Sequence, residues 1–161
     1  MKMGIIGTGA IASAVVEGLA PFGHQITVSE RSAHNANRLA AQFSNVQCAA
    51  NQTVLDQSEV IILGLMAEQA AGILQQLVFH ADQKVISLMA GASIGDVAKV
   101  VAPAQMQATM LPFPGIAQGG SPILVLGNPA LVHTLFGAHN QIFEMASEEE
   151  LGRYLCAQAV L

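Results

Sequence analysis

Apolar residues follow two alternating patterns along the chain, and each pattern is typical of one kind of secondary structure. Short apolar runs rich in β-branched residues predict strands at residues 3–6, 24–29, 46–48, 59–65, 84–88, 105–111, 123–126 and 141–145. Helical spacing predicts helices at residues 10–19, 36–43, 51–57, 69–78, 94–101 and 148–161, and another from Asn128-Pro129. Either Ser32 or Asn35 caps the second helix. The alternation predicts an α/β fold of Rossmann type: a doubly wound, mostly parallel sheet with helices on both faces.

The strongest apolar run, residues 60–67, is too short to span a membrane. It lies between Glu59 and Glu68, whereas a spanning helix needs about 20 apolar residues. Its length and composition fit a strand that is buried on both faces of a parallel sheet. We therefore expect no membrane segment, although 52% of the residues are hydrophobic and only 11% are charged.

Charge and cysteine content narrow the function classes. The net charge of -5, the absence of tryptophan and the lack of a basic cluster argue against nucleic acid as a partner. Cys48 and Cys156 are isolated, without histidine at ligand spacing, so neither a disulfide nor a metal site is predicted. The first strand begins at once, without a leader pattern, and the reducing cytoplasm is the expected location.

A glycine-rich turn joins the first predicted strand to the first predicted helix. Gly7 permits a tight turn, Gly9 lets the backbone approach a phosphate, and Ala12 lets the helix pack closely on the strand. The free N–H groups and the helix dipole would then face an anion. We expect a dinucleotide pyrophosphate to bind the N–H groups of Thr8, Gly9, Ala10 and Ile11. A purely structural glycine turn is the alternative. The Thr8 hydroxyl would add a hydrogen bond to the ligand, and a surface threonine without that role is the alternative for its side chain.

Residues 29–32 follow the second strand, where the adenosine ribose of such a ligand would lie. A carboxylate at Glu30 accepts bonds from a ribose 2′-hydroxyl and repels a 2′-phosphate, which favours NAD. Arg31, flanked by the hydroxyls of Ser29 and Ser32, would bind that phosphate, which favours NADP. Of the two cofactors we prefer NADP. Solvated loop charges are the alternative interpretation of Glu30 and Arg31.

Several segments together resemble the N-terminal domain of the pyrroline-5-carboxylate reductase family, within the 6-phosphogluconate dehydrogenase-like superfamily. They are GTGAIASAVVEGL after the first strand, VSERS at residues 28–32, AAN at 49–51, VIILGL at 60–65 and VISLMAG at 85–91. Two segments depart from the family pattern. Met66-Ala67 replaces a Lys-Pro pair, and residues 111–114 read LPFP where the family has Met-Pro-Asn and a further proline.

The resemblance implies an NAD(P)H-dependent reductase that transfers hydride to a C=N bond of a small cyclic imine. It implies that Asn51 contacts the adenosine side, although a simple helix cap is the alternative. Leu65, Met66, Ala90, Gly91 and Pro112 lie at strand ends and would frame the nicotinamide. Ala90 and Gly91 would serve helix packing equally well.

No catalytic residue is assigned, because the histidines lie mainly in loops or at polar helix positions. The departures from the family pattern leave two other functions open. One is a nucleotide-binding regulatory module without catalysis, and the other is an oxidoreductase like the β-hydroxyacid dehydrogenases.

The resemblance also implies a division of the chain. Residues 1–146 would form the dinucleotide-binding domain, and residues 147–161 would begin a connecting or dimerisation helix. The rest of the family's helical domain, which forms a homodimer, is absent from the sequence. A stretch without Lys, Arg, Asp or Glu between Lys99 and Glu144 would suit burial against another subunit or domain. A generally low charge is the alternative explanation.

Overall fold

A computed structural model describes residues 1–158 and shows one sheet of eight strands. The strands are β1 (Lys2–Ile6), β2 (Gln25–Ser29), β3 (Val46–Ala49), β4 (Val60–Leu63), β5 (Lys84–Ser87), β6 (Gln105–Pro112), β7 (Pro122–Gly127) and β8 (Gln141–Met145). Their spatial order is β3-β2-β1-β4-β5-β6-β7-β8. β1 to β6 are mutually parallel, β7 runs antiparallel to β6, and β8 runs parallel to β7. The predicted Rossmann-type α/β fold is confirmed.

Seven α-helices connect or follow these strands. They are α1 (Ala10–Leu19), α2 (Ala33–Gln42), α3 (Asn51–Asp56), α4 (Ala67–Leu74), α5 (Ile94–Val101), α6 (Ala130–Phe136) and α7 (Glu148–Gln158). Short 3-10 helices lie at Ala20–Phe22 and Pro114–Ala117. None of these described helices is long and apolar enough to cross a membrane.

Comparison of the predicted and observed helix ends shows where local sequence signals predict the bounds of a helix correctly. α5 has its predicted bounds, because the Ser93 hydroxyl accepts a bond from the N–H of Asp96 at 3.0 Å. α7 begins as predicted with the Ser147 hydroxyl as its cap, and the last predicted positions, 159–161, lie outside the described residues. α4 starts two residues early and ends at Leu74 rather than residue 78. Its sequence offers no capping side chain and no glycine or proline at its end to mark these limits.

The helices divide between the two faces of the sheet, as the predicted double winding requires. One apolar core lies under α1, α2 and α6, with Val15, Leu39 and Phe136 packed against β1, β2 and β7. A second core lies under α3, α4 and α5 on the opposite face. α7 covers that same face further along, where Leu151 packs on Leu124 and Leu126 of β7.

The sheet has a step at β6, the longest strand. Ser87, the last residue of β5, pairs with Thr109 in the middle of β6. Thr109 in turn pairs with Leu126 near the end of β7, and Leu126 pairs with Met145 at the end of β8. β6, β7 and β8 therefore extend beyond the end of β5.

The stretch between Lys99 and Glu144 owes much of its low charge to burial within the chain itself. Its large apolar residues fill the cores around β6 and β7, and of these only Phe143 is exposed. Much of the exposed remainder consists of small or uncharged polar residues. Packing of this stretch inside the fold accounts for the apolar character of its buried residues.

Candidate functional site

The strand order reverses between β1 and β4, and this reversal opens a crevice at the carboxyl ends of the strands. β1 pairs with β2 on one side and with β4 on the other. In open α/β sheets, ligands bind at such a reversal point. Gly7 and Gly64 directly follow the two strands, and the Gly64 N–H donates to the Ile6 carbonyl at 2.8 Å. The predicted glycine turn therefore lies in the crevice.

Gly7 adopts a backbone conformation that favours glycine, with φ of +90°. A Cβ atom at Gly7 would lie 2.7 Å from the Gly64 carbonyl oxygen, so a side chain would also collide with β4. The Gly7 N–H donates to the Ser29 hydroxyl at 2.8 Å. Ser29 is fully buried, and its hydroxyl therefore acts inside the protein, where it supports the turn.

α1 lies unusually close to the end of β4, and two small residues make this possible. A Cβ atom at Gly64 would lie 2.7 Å from the Ala12 Cβ and 2.9 Å from the Gly7 carbonyl oxygen. Ala12 is buried. The amino end of α1 is thereby held directly above the crevice, and Gly64 is a contributor that the sequence analysis missed.

Gly9 marks the open side of the turn. It is exposed, and no atom of another part of the protein lies within 4 Å of the position that its Cβ would occupy. It is the N-cap of α1, whose first turn carries no acidic residue. Ala10 is also exposed, and Ile11 is half-buried. The amino end of α1 therefore presents backbone N–H groups and a positive dipole end to an open space.

Two side chains donate hydrogen bonds to the Thr8 carbonyl oxygen. Asn35 Nδ2 donates to this oxygen at 2.8 Å, and Ser13 Oγ donates to it at 3.3 Å. The peptide group between Thr8 and Gly9 is trans, so its C=O and its N–H point in opposite directions. The Gly9 N–H therefore points away from Asn35 and Ser13.

The Thr8 side chain is buried, which makes the surface alternative wrong. Its hydroxyl lies 3.4 Å from the Ser32 carbonyl oxygen and donates to it. Ser32 occupies the N-cap position of α2, but no side-chain capping bond forms there. The side-chain amide of Asn35, the other proposed cap, instead donates to the Thr8 carbonyl in the glycine turn.

The two charged residues after β2 are both exposed. The Glu30 N–H donates to the Ala49 carbonyl at 3.2 Å, which continues the pairing with β3. Arg31 Nη2 donates to Gln69 Oε1 at 3.1 Å. Because Gln69 belongs to α4, which follows β4, the Arg31 side chain reaches across the end of β1. Gln69 was not among the predicted site residues.

The remaining predicted residues lie along the same edge of the sheet. Asn51 is the first residue of α3, and Ala50 is the N-cap, so the capping alternative for Asn51 is wrong. Met66, the exposed N-cap of α4, follows Leu65. The predicted residues on this part of the edge are Leu65 and Met66 after β4, Ala90 and Gly91 after β5, and Pro112 at the end of β6.

Gly91 combines an unusual backbone with an open surrounding. Its φ is +84°, and no other part of the protein lies within 4 Å of a Cβ built on it. Ala90 beside it is exposed. The structure therefore gives no helix-packing role to Gly91, which was one of the two predicted interpretations.

Within residues 1–158, three titratable groups have shifted pKa values, and none of them is a predicted site residue. Burial raises the pKa of Cys48, and the charge of Glu30 raises it further. The pKa of Asp56 is lowered, chiefly by hydrogen bonds from Gln52 and then from His80. Burial lowers the pKa of His24, and the positive chain terminus adds to this effect. Among residues 1–158, no three His, Cys, Asp or Glu side chains are grouped as metal ligands.

Sequence comparison places residues 2–91 on a family model described as NADP oxidoreductase, coenzyme F420-dependent. No curated protein shows significant sequence similarity to the chain. Solved structures are more informative. The chain is similar to 1-pyrroline-5-carboxylate reductase from Streptococcus pyogenes, with 26% identity and a TM-score of 0.80, over 93% of this chain and 60% of that one.

More distant structures share the fold. Pyrroline carboxylate reductase from Plasmodium falciparum with NADP bound has 17% identity and a TM-score of 0.78, over 94% of this chain and 59% of that one. A reductive aminase from Aspergillus terreus, in complex with NADPH4, cyclohexanone and allyl amine, has 20% identity and a TM-score of 0.77. That match covers 99% of this chain and 61% of the aminase. The chain thus spans about 60% of the length of these relatives.

Proposed function

Because this chain belongs to the family of NADP oxidoreductases described as coenzyme F420-dependent, we propose that it is the dinucleotide-binding part of an NADPH-dependent reductase of cyclic imines. The observation that carries the proposal is the glycine turn. It lies at the amino end of α1 and at the reversal point of the sheet, and its Gly9 N–H points away from the side chains that bind the Thr8 carbonyl. The similarity to the reductase from Streptococcus pyogenes supports the same reaction class.

In this proposal the pyrophosphate lies against the amino end of α1. The N–H groups of Gly9, Ala10 and Ile11 would donate to its oxygens, and Gly7 and Ala12 keep the turn tight. These donors belong to the backbone, and the turn is held in place by Ser29 and Asn35. The anion site is therefore largely formed before the ligand arrives, which lowers the entropic cost of binding.

Arg31 is the residue that we propose for the NADP 2′-phosphate. The guanidinium groups of Arg38 and Arg153 are paired with Glu17 and Glu149, respectively. Within residues 1–158, Arg31 forms no ion pair, and its side-chain partner is the neutral Gln69. An arginine without a carboxylate partner retains its full attraction for a phosphate. This contrast supports NADP over NAD, with Glu30 and Ser32 beside the ribose and Asn51 on the adenosine side.

Calorimetric titration with NADPH and with NADH tests the cofactor assignment. Because hydrogen bonds to charged groups contribute about 1.5–3 kcal/mol, Arg31→Ala should weaken NADPH binding by about 10- to 100-fold. NADH binding should change little. Arg38→Ala is the matched control, because its guanidinium already pairs with Glu17. Equal losses for both nucleotides would show that Arg31 stacks on the adenine and does not contact a phosphate.

The nicotinamide would lie further along the edge, among Leu65, Met66, Ala90, Gly91 and Pro112. NADPH, when bound, supplies the hydride, and the protein supplies orientation and a shaped surface. The open space beside Gly91 leaves room for a flat ring. No described side chain in the crevice is assigned as a proton donor. We propose that residues 1–146 form this cofactor unit and that α7 leads toward a homodimerising helical part.

An activity assay separates catalysis from a regulatory role. The departures at Met66-Ala67 and at residues 111–114 adjoin the proposed nicotinamide position, and they support the nucleotide-binding module as a second candidate. We expect the protein to oxidise NADPH in the presence of a cyclic imine, with pyrroline-5-carboxylate as the first substrate tested. Intact NADPH binding without turnover on any cyclic imine or keto acid would favour the regulatory module.

A further inference from the structure

The sheet ends at β8, and one side of this strand has no neighbouring strand. β8 is the last strand in the spatial order, and among residues 1–158 it pairs only with β7. The middle residues of β7 are buried, whereas every residue of β8 is half-buried or exposed. An unpaired strand edge presents free N–H and C=O groups, which can pair with a further strand.

The pairing with β7 determines which backbone groups of β8 face outward. The Gln141 N–H donates to the Ser121 carbonyl at 3.0 Å, so it points toward β7. Successive residues of a strand direct their backbone N–H and C=O groups to alternate sides. The backbone groups of Phe143 therefore also point toward β7, whereas those of Ile142 and Glu144 point toward the open side.

The features that usually protect a strand edge are scarce at β8. Prolines, bulges and charged side chains commonly block pairing at such an edge. β8 contains no proline, and its register with β7 is regular. Its one charged residue, Glu144, accepts a hydrogen bond through Oε1 from His133 Nε2 of α6 at 3.0 Å, so the carboxylate lies on the α6 face of the sheet. Phe143 lies on the opposite face and is 46% exposed.

The other edge of the sheet, formed by β3, is better protected. β3 has only four residues. The Asn45 carbonyl accepts from the Ile26 N–H of β2, so the N–H of the next residue, Val46, points outward. That N–H already donates to the Phe43 carbonyl at 3.1 Å. Part of the β3 edge is therefore occupied within the chain, and β8 is the edge that is more suited to pairing.

We propose that β8 pairs with β8 of a second copy of this chain, antiparallel and across a two-fold axis at Phe143. Ile142 then lies opposite Glu144 of the second copy, and the two residues exchange backbone hydrogen bonds, because their N–H and C=O groups already point outward. Phe143 lies beside its own counterpart at the non-hydrogen-bonded position, where side chains approach closely.

The sequence of β8 favours a second copy over another kind of strand. A two-fold interface requires one surface that is complementary to itself. In the proposed register an aromatic ring meets an aromatic ring, and Glu144 lies opposite an isoleucine and not opposite its own counterpart. The residues between Lys99 and Glu144 carry no charge that would repel the second copy.

The expected dimer is weak and independent of the crevice. A pair of five-residue strands is small beside the standard interface of about 1,600 Å², so the dimer should dissociate on dilution. The pairing involves neither the glycine turn nor a nucleotide. It therefore goes beyond the proposed function, and the two can fail separately.

Sedimentation velocity over a series of protein concentrations tests the pairing, and we expect a monomer–dimer equilibrium. Glu144→Pro removes an outward N–H, which proline tolerates at an edge strand without loss of the bonds to β7. It should weaken dimerisation by about 5- to 100-fold, because each copy loses one intermolecular hydrogen bond. Glu144→Gln retains the N–H, so it is the matched control and should dimerise like the wild type.

Replacement of Phe143 tests the position of the two-fold axis. Phe143→Lys places two ammonium groups side by side and should weaken dimerisation, and Phe143→Glu should do the same with two carboxylates. Val78→Lys, at another exposed apolar residue, is the matched control and should have no effect. An equimolar mixture of Phe143→Lys and Phe143→Glu should associate about fivefold more tightly than either variant alone, because opposite charges then lie beside each other.

Three results would overturn the proposal. One is a chain that stays monomeric at every concentration. Another is self-association that neither Glu144→Pro nor Phe143→Lys weakens, because the copies would then meet through a different surface, such as α7. The last is a mixture of the two Phe143 variants that associates no better than each alone. Misfolding of Glu144→Pro cannot mimic the expected gain in this mixture, because both Phe143 variants change only an exposed side chain.

Discussion

Replacement of Gly9 by alanine is expected to leave the fold intact and to weaken dinucleotide binding. Gly9 has φ of −68° and ψ of −174°, a conformation that alanine adopts without strain. No atom of another part of the protein lies within 4 Å of the added methyl group. The folded chain therefore has room for the methyl group, and only a ligand that approaches the turn would meet it.

The expected magnitudes follow from this geometry. Alanine is a poorer N-cap than glycine, at a cost of roughly 0.5–1 kcal/mol. The reduced freedom of the unfolded chain offsets about 0.4–1 kcal/mol of that cost. The melting temperature should therefore change by no more than about 2 °C. Loss of one charge-assisted bond from the Gly9 N–H, worth about 1.5–3 kcal/mol, should lower NADPH affinity at least about tenfold.

Thermal unfolding, followed by circular dichroism, measures the effect on stability. Calorimetric titration with NADPH measures the effect on binding. Gly72→Ala is the matched control, because Gly72 in α4 also has no other part of the protein within 4 Å of an added Cβ. That variant should be at least as stable as the wild type and should bind NADPH normally. Unchanged NADPH affinity in Gly9→Ala would refute the placement of the pyrophosphate. A large loss of stability would refute the steric reasoning.

Three further variants or reactions test the supporting structure. Gly64→Ala, which crowds the glycine turn, should lower the free energy of unfolding by about 1–3 kcal/mol in urea titrations, and a stability equal to wild type would contradict this. Asn35→Ala, which frees the Thr8 carbonyl, should cost about 1 kcal/mol and also weaken NADPH; unchanged affinity would show that the bond is merely structural. Cys48, whose pKa is raised by burial and by a nearby glutamate, should react with iodoacetamide at neutral pH more slowly than glutathione, followed by peptide mass spectrometry.

Local sequence signals were enough to predict much of the fold. α1 has its predicted bounds because a glycine turn precedes it and Pro21 and Gly23 follow it, where a 3-10 turn ends with Gly23 at φ of +77°. The sequence analysis did not predict the step at β6, nor did it identify β7 as the strand that runs antiparallel to its neighbour β6. Both depend on which residues pair between strands that are distant in the sequence, and apolar patterns do not specify that register.

In the candidate site, the backbone geometry of the glycine turn could be predicted from the sequence, whereas the side-chain contacts that support it could not. The glycine motif predicts its own geometry, because each small residue answers a local steric demand. The supporting contacts join residues that are far apart along the chain. Asn35 and Thr8 are 27 positions apart, and Arg31 and Gln69 are 38 apart. An asparagine near a helix start favours a capping interpretation, and only the folded chain reveals that its amide reaches the glycine turn.

The two hydrogen bonds to the Thr8 carbonyl affect which positions around the crevice can change in sequence. The groups that would meet a phosphate are peptide N–H groups, which every residue except proline supplies. The side chains that fix their direction, Asn35 and Ser13, lie behind the turn. Exposed positions such as Ala10 are therefore free to vary, while residues that never touch a ligand are constrained. Distant relatives can share this anion-binding geometry while retaining few of the same side chains.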